Sequence, residues 1–140
     1  MKIRTDYVTN SSSSSFVVAF KKFPEIDAET IEKYPFLGAF DEIMKELIMS
    51  SDGWTETTDG IVIESDKELK DYIRDEYGYK QTFGQVVKED PYARDLYDMC
   101  RPKLDEGYKI LMKDIGYGDF RGTIFKKLES DDFVILEGEW

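Results

Sequence analysis

The chain has 140 residues, 41% of them hydrophobic and 14% aromatic, which is enough apolar mass to bury a core without disulfide or metal staples. Its 30 acidic residues outnumber 19 basic ones, and since histidine is absent the formal charge is -11 at pH 7. This charge argues against direct binding to nucleic acid or an anionic membrane. The absence of histidine excludes Ser-His-Asp triads, Cys-His pairs and histidine zinc sites.

Cys100 is the only cysteine, which excludes an intramolecular disulfide and a thiolate metal cluster within one chain. No run approaches the roughly 20 apolar residues of a membrane span, and the N-terminus lacks the apolar segment of a secretory signal. We therefore expect a cytoplasmic protein in which Cys100 is a small core residue and not a nucleophile.

Three segments in the first half of the chain have clear periodicity. Residues 16–20 form a continuous apolar run, which is typical of a buried strand. In residues 36–48 apolar side chains recur at helical spacing, which predicts a helix packed on the core. Residues that favour strands flank the pair 59–60, Asp-Gly, and predict a hairpin between 54–58 and 61–64.

Capping signals mark the starts of two further helices. Asp27 is the predicted cap of a helical turn over residues 28–33. Ser65 followed by Glu68 is a capping-box pattern that starts another helix, and Gly78 ends it.

Prolines divide the next part of the chain. Residues 82–104 contain two helical stripes, and Asp90 with Pro91 marks the start of the second helix. Pro102 is expected to break or kink that helix, because proline lacks the backbone N–H of an internal helical position.

The last predicted elements are strands at residues 108–115 and 133–136, with a short helix between them. Helices and strands are interspersed, and a hairpin is predicted. The sequence therefore predicts a single α+β domain over residues 1–140. We expect a mixed or mainly antiparallel sheet of about four to six short strands packed against about three to five helices.

Residues 9–15, a threonine and an asparagine followed by five serines, directly precede the predicted strand. Their hydroxyl groups and turn amides can converge on an anion such as phosphate. The alternative is a flexible or turn-forming connector. The candidate ligand-binding residues in this part of the chain are Arg4, Asn10, Ser11, Ser12, Ser13, Ser14 and Ser15.

The opening string MKIRTDYVTN, followed by five serines and Phe16, resembles the start of a group of small bacterial proteins, mainly clostridial and related Gram-positive ones. The resemblance covers roughly the first 20 residues. It implies a bacterial or mobile-element origin, and it carries over no catalytic residue.

Residues 116–122, GYGDFRG, lie between a predicted strand and a predicted helix, where glycine-rich turns bind phosphate. The spacing differs from the dinucleotide-binding fingerprint, so a tight connection is the preferred interpretation. Gly116, Gly118 and Arg121 are nevertheless candidate ligand contacts. Acidic residues cluster near the C-terminus without the pattern of a calcium loop, so we predict a solvated surface and no metal site.

Three functions follow from these features. The leading prediction is a non-enzymatic protein that binds a protein partner, with a cationic partner as one candidate, through an acidic face that contains tyrosine. The second is a small-ligand or nucleotide-binding domain, or a metal-dependent enzyme, that uses the loops at residues 11–15 and 116–122. The third is a structural protein that forms homo-oligomers through a sheet edge. We predict no catalytic residue and no cofactor.

Overall fold

The computed structural model describes residues 13–51 and 56–138. Within these residues the strands are β1 (Ser13–Phe20), β2 (Ile61–Ile63), β3 (Lys109–Gly116) and β4 (Phe133–Glu137). The helices are α1 (Ala28–Lys33), α2 (Gly38–Met49), α3 (Asp66–Tyr77), α4 (Phe83–Glu89), α5 (Pro91–Asp105) and α6 (Arg121–Lys127), with a 3-10 helix, η1 (Pro35–Leu37), before α2. The predicted α+β class is confirmed, and the described part has one α-helix more than expected.

The sheet is antiparallel throughout, in the order β2-β3-β1-β4. Its centre is the long β1–β3 pair, which runs from Ser13 opposite Gly116 to Phe20 opposite Lys109. β4 pairs with the other side of β1, with an irregular register between Val17 and Val18. The order of strands brings the serine-rich start of β1 to the same end of the sheet as the glycine-rich turn after β3.

Helices cover both faces of the sheet. Val17 and Ala19 of β1 point to a cluster formed by α3, α4 and α5, whereas Phe16 and Val18 point to a cluster that includes α2 and α6. A strand with two buried faces has no solvent side, which is why residues 16–20 read as a continuous apolar run. The predicted strand is confirmed there and begins three residues earlier, at Ser13.

The hairpin predicted around residues 59–60 is wrong. β2 pairs with β3, and the backbone N–H of Thr58 donates to the carbonyl of Asp114 at 2.8 Å. Gly60 donates its backbone N–H to the carbonyl of Met49 at 2.6 Å. The Asp-Gly pair therefore connects the end of α2 to the sheet edge, because the long β3 strand offers pairing that a local turn signal does not show. Residues 54 and 55 of the predicted hairpin lie outside the described part.

The caps at the helix starts follow the sequence closely. The side chain of Asp27 accepts the backbone N–H of Thr30 at 2.8 Å and caps α1. Ser65 accepts the N–H of Glu68 at 3.1 Å, but the Glu68 carboxylate bonds the N–H of Glu64, one residue before the cap. The capping box at Ser65 therefore has the bond from the Glu68 N–H to the serine side chain but lacks the usual return bond from the Ser65 N–H to the Glu68 carboxylate. A complete box occurs at the start of α4, where the sequence analysis had not placed one.

The break predicted at Pro102 does not occur, because α5 continues to Asp105. Pro102 lies in the last turn and is exposed, so its missing N–H removes one bond without interrupting later turns. The carbonyl of Pro102 accepts the N–H of Glu106 at 3.1 Å, and this bond closes the helix end.

Candidate binding surface

Helix α2 carries two apolar stripes, and only one of them packs on the core. Ile48 is fully buried in the cluster beneath the sheet, and Met44 packs against the same cluster. By contrast Phe36, Phe40 and Ile43 are 66%, 50% and 51% exposed. The predicted helix over residues 36–48 is present as η1 and α2, but the expectation that its whole apolar face packs on the core is wrong.

The geometry of a helix explains this division. The exposed positions 36, 40 and 43 precede the inward positions 37, 41 and 44 by one residue, which corresponds to a rotation of about 100° around the helix axis. A helix lying on a sheet buries one stripe and cannot turn a second stripe to the same surface. α2 contacts mainly η1 and α6, and among its residues only Ile48 is fully buried. Its outer stripe is therefore left at the surface.

The exposed side chains form a connected group, which we call the aromatic stripe: Tyr34, Phe36, Phe40 and Ile43. The ring centroids of Tyr34 and Phe36 are 6.4 Å apart, and those of Phe36 and Phe40 are also 6.4 Å apart, in edge-to-face geometry. Tyr34 is 46% exposed. Contiguous apolar groups of this kind on a protein surface mark sites of interaction, whereas single exposed residues do not.

Tyrosine contributes little to this exposed group. Of the seven tyrosines between residues 72 and 117, five are half-buried against the core or at its edges, and two, Tyr79 and Tyr117, are exposed. The half-buried ones are Tyr72, Tyr77, Tyr92, Tyr97 and Tyr108. Phenylalanine and isoleucine therefore dominate the exposed group on α2, with Tyr34 as its only tyrosine.

Acidic side chains surround the aromatic stripe. Seven acidic and two basic residues lie between positions 25 and 46. Apart from Asp27, which caps α1, five of the carboxylates are exposed and form no ion pair with any residue in 13–51 or 56–138. They are Glu25, Glu29, Glu32, Glu42 and Glu46. The surface around the stripe therefore carries a negative charge that the described part of the protein does not neutralise.

The acidic residues of α3 are arranged differently. Asp66 lies 3.2 Å from the Lys70 amine and 3.3 Å from the Arg101 guanidinium, and Tyr97 donates its hydroxyl to Asp66 at 2.7 Å. The hydrogen bond from Tyr97 lowers the pKa of Asp66, and the neighbouring cations act in the same direction. Asp71 is paired with Lys67 at 2.9 Å. On α3, then, Asp66 and Asp71 are matched by cations within the fold, unlike the carboxylates beside the stripe.

The serine tract is only partly described. Arg4, Asn10, Ser11 and Ser12 lie outside the described residues. Ser13, Ser14 and Ser15 are strand residues of β1, opposite Gly116, Ile115 and Asp114.

Ser15 donates its hydroxyl to the carboxylate of Asp114 at 2.8 Å. A carboxylate at this position disfavours an anion beside Ser15, since like charges repel. The contact therefore gives no support to an anion site formed by the described part of the serine tract.

The glycine-rich turn is held by a buried polar cluster. Asp119 is 4% exposed and accepts hydrogen bonds from the Thr57 hydroxyl at 2.6 Å and from the backbone N–H of Arg121 at 3.0 Å. One guanidinium nitrogen of Arg121 lies 3.1 Å from both Asp119 carboxylate oxygens. Gly116 donates its N–H to Thr57 at 2.9 Å. Asp119 neutralises Arg121, so this arginine closes the turn and is poorly placed to attract an anion.

Among residues 13–51 and 56–138, one depression lies near each of these candidate loops, and the two are separate. The first is a cleft of about 60 Å³ between the sheet and helices α3 and α5, lined in part by Ser15, Glu76 and Asp114. Pockets that bind drug-sized ligands have volumes of about 300–1,000 Å³, so this cleft is too small for a nucleotide. The second is a shallow open depression at Tyr117 and Gly118. Neither depression brings residues 13–15 and 116–121 together on one wall.

Lys113 is a buried cation that the sequence analysis did not single out. It is 3% exposed, and its amine donates to the backbone carbonyls of Ser50 and Thr58 at 2.7 Å each. Ser50 caps the C-terminal end of α2, where the helix dipole favours a positive charge. Lys113 lies two residues from both Leu111 and Ile115, so its side chain shares their face of β3, which is the face toward α2. This spacing is the sequence signal for its burial. Lys113 therefore fixes the inner end of α2 on the sheet.

The resemblance of the first 20 residues to small bacterial proteins is the one family indication in the sequence. No family model, curated protein or solved structure matches the chain. The resemblance therefore stays a prediction.

Cys100 has little chemical reactivity in the folded protein. It is fully buried, and burial raises the pKa of its thiol to about 12, so the thiol stays protonated at neutral pH. In residues 13–51 and 56–138, no three acidic or cysteine side chains are grouped to hold a metal ion. None of the helices in those residues has the length and apolar character to cross a membrane.

Proposed function

We propose that this protein is a non-enzymatic binding protein that docks a protein partner on the aromatic stripe of η1 and α2. The observation that carries the proposal is the row formed by Phe36, Phe40 and Ile43, each at least half exposed on a helix whose neighbouring stripe is buried. Exposing three large apolar side chains to water in one row is unfavourable, and covering them on binding recovers that free energy. Buried aromatic anchors of this kind dominate the binding energy of many protein interfaces.

A cationic partner is favoured by the charge around the stripe. The five carboxylates that have no ion pair within the described part of the chain extend over α1, α2 and the segment before α1, and the whole protein carries a formal charge of -11. Such a surface accelerates association with a positively charged protein and repels acidic ones. We place this activity in a bacterial cytoplasm, because the single, buried Cys100 suits a reducing compartment and the opening string resembles bacterial proteins.

A site-specific cross-linking experiment tests the proposal. A photoreactive phenylalanine analogue is placed at position 40 in cells that contain the native protein, and the matched control carries it at Tyr79, which is 76% exposed elsewhere on the surface. We expect one discrete protein adduct from position 40 that position 79 does not give, and mass spectrometry identifies it. Adducts that are identical at both positions, or none at position 40, would contradict the proposal.

A further inference from the structure

The aromatic stripe has the shape of a helix-docking site. We infer that its occupant is a basic amphipathic α-helix of another protein, which lies along α2 and places its cationic residues against the unpaired carboxylates. This inference rests on the proposed function and specifies the partner's contact element.

The spacing of the stripe favours a helical occupant. Phe40, Ile43 and the half-buried Leu47 are separated by three and four residues, so they form one line along α2, and Phe36 on η1 continues the row. At a rise of about 1.5 Å per residue the part of the row on α2 is about 10 Å long, or about two turns. Two helices pack by inserting side chains of one such line between those of the other. An extended peptide would instead bind a sheet edge through backbone hydrogen bonds.

The charges around the stripe select a basic helix. Glu42 and Glu46 are exposed one turn apart on α2, and Glu46 is three residues from Ile43, which places it next to the stripe. Lysine or arginine residues flanking the apolar line of a partner helix would lie opposite these carboxylates. An acidic helix would meet like charges, which disfavours it as a partner.

A second copy of the chain is a poorer occupant. Each copy carries a formal charge of -11, and pairing two aromatic stripes would bring Glu42 and Glu46 of both copies into one interface. Neither carboxylate has an ion-pair partner among the described residues that could offset this repulsion. The charge therefore favours binding of a helix from a basic partner and disfavours self-association.

Binding of synthetic peptides tests the inference. The probe is a fluorescent helical peptide of roughly 18 residues, with leucine at its core-facing heptad positions and lysine at the flanking ones. A second peptide has the same leucines but glutamate in place of lysine. Fluorescence anisotropy gives the Kd of each for the full-length protein at about 0.02 M and about 0.5 M salt. We expect the basic peptide to bind, the acidic one to bind at least about tenfold more weakly, and affinity to fall with added salt.

Charge-matched variants separate docking on the stripe from general attraction. The double variant Phe40→Gln, Ile43→Gln keeps every charge and should bind the basic peptide at least about tenfold more weakly. The control Tyr79→Gln removes an exposed aromatic ring elsewhere and should leave the Kd unchanged. The variant Glu42→Gln, Glu46→Gln should reduce the salt dependence. Circular dichroism on each variant checks that the fold is intact.

Several results would overturn the inference. They are equal binding of both peptides, undiminished binding by the Phe40→Gln, Ile43→Gln variant, or no binding by the native protein. A native dimer that this double variant abolishes in light scattering would identify a second copy as the occupant. If the cross-link at position 40 captures a partner while the basic peptide fails to bind, the proposed function stands and the helical partner is wrong. If position 40 captures nothing, the proposed function itself fails.

Discussion

Substitutions on the two stripes of α2 should have different effects on stability. Ile48 is fully buried among the aromatic residues beneath the sheet, including Phe16 and Phe125. Ile48→Ala removes buried carbon atoms and leaves a cavity. Replacements of this kind cost about 2–5 kcal/mol of unfolding free energy.

The corresponding change on the outer stripe should cost much less. Fully burying a phenylalanine contributes about 1.5–3 kcal/mol, and Phe40 is half exposed, so its share is about 0.7–1.5 kcal/mol. Glutamine has a somewhat better helix propensity than phenylalanine, which offsets part of this loss. We expect Phe40→Gln to lower the unfolding free energy by about 1 kcal/mol or less.

Urea unfolding followed by far-UV circular dichroism measures both changes. The slope of free energy against urea should stay the same for each variant, so that the midpoints report stability directly. Ile43→Gln, at a site that is 51% exposed, is a second outer-stripe substitution and should behave like Phe40→Gln. A Phe40→Gln variant as unstable as Ile48→Ala would show that the outer stripe is part of the core, and would refute the division of α2 into two faces.

Three further substitutions or reactions test other parts of the fold. Cys100 should resist an aromatic disulfide reagent in the native protein and react after unfolding, because burial keeps its pKa at about 12; fast native labelling would contradict this. The hydrogen bond from the Tyr97 hydroxyl lowers the pKa of Asp66 from its usual value of 3.8. This bond therefore stabilises the folded protein above pH 3.8, and the stabilisation is lost as the pH falls through the lowered pKa. Tyr97→Phe should therefore be less stable at pH 7 and lose less stability on acidification, as measured by urea unfolding; an unchanged pH profile would argue against the bond. Gly78→Ala would place a Cβ in steric overlap with a methyl group of Val86, so thermal unfolding should show a loss of about 1–3 kcal/mol, partly restored by Val86→Ala.

Elements set by short-range signals could be predicted from the sequence. Asp27 begins α1 because its side chain accepts an N–H three residues later, and Asp90 with Pro91 begins α5 in the same way. The apolar run at residues 16–20 identified β1, since a central strand covered on both faces has no polar side. These features depend on residues a few positions apart, so the sequence contains most of the information.

Features that depend on distant contacts could not be predicted in the same way. The Asp-Gly pair at 59–60 satisfied the rules for a hairpin, yet β2 pairs with β3 about 50 residues later. The burial of Lys113 depends on the carbonyls of Ser50 and Thr58, which lie more than 50 residues earlier in the chain.

The candidate surface was likewise only half visible in the sequence. Helical spacing predicted one apolar stripe that includes Phe40, Ile43 and Ile48, but it could not show that only part of this stripe packs on the core. Sequence also does not show which carboxylates form ion pairs, since the pairing of Asp66 with Arg101 joins residues 35 positions apart.

Chemical-shift mapping by NMR tests most directly whether the aromatic stripe is the binding surface. A uniformly labelled protein is titrated with the basic amphipathic peptide, or with the partner captured at position 40, and backbone amide shifts are followed. We expect the largest changes on residues 34–47, with little change in α5. Changes centred on the cleft beside Ser15 and Glu76, or on residues 116–121, with α2 unaffected, would contradict this expectation.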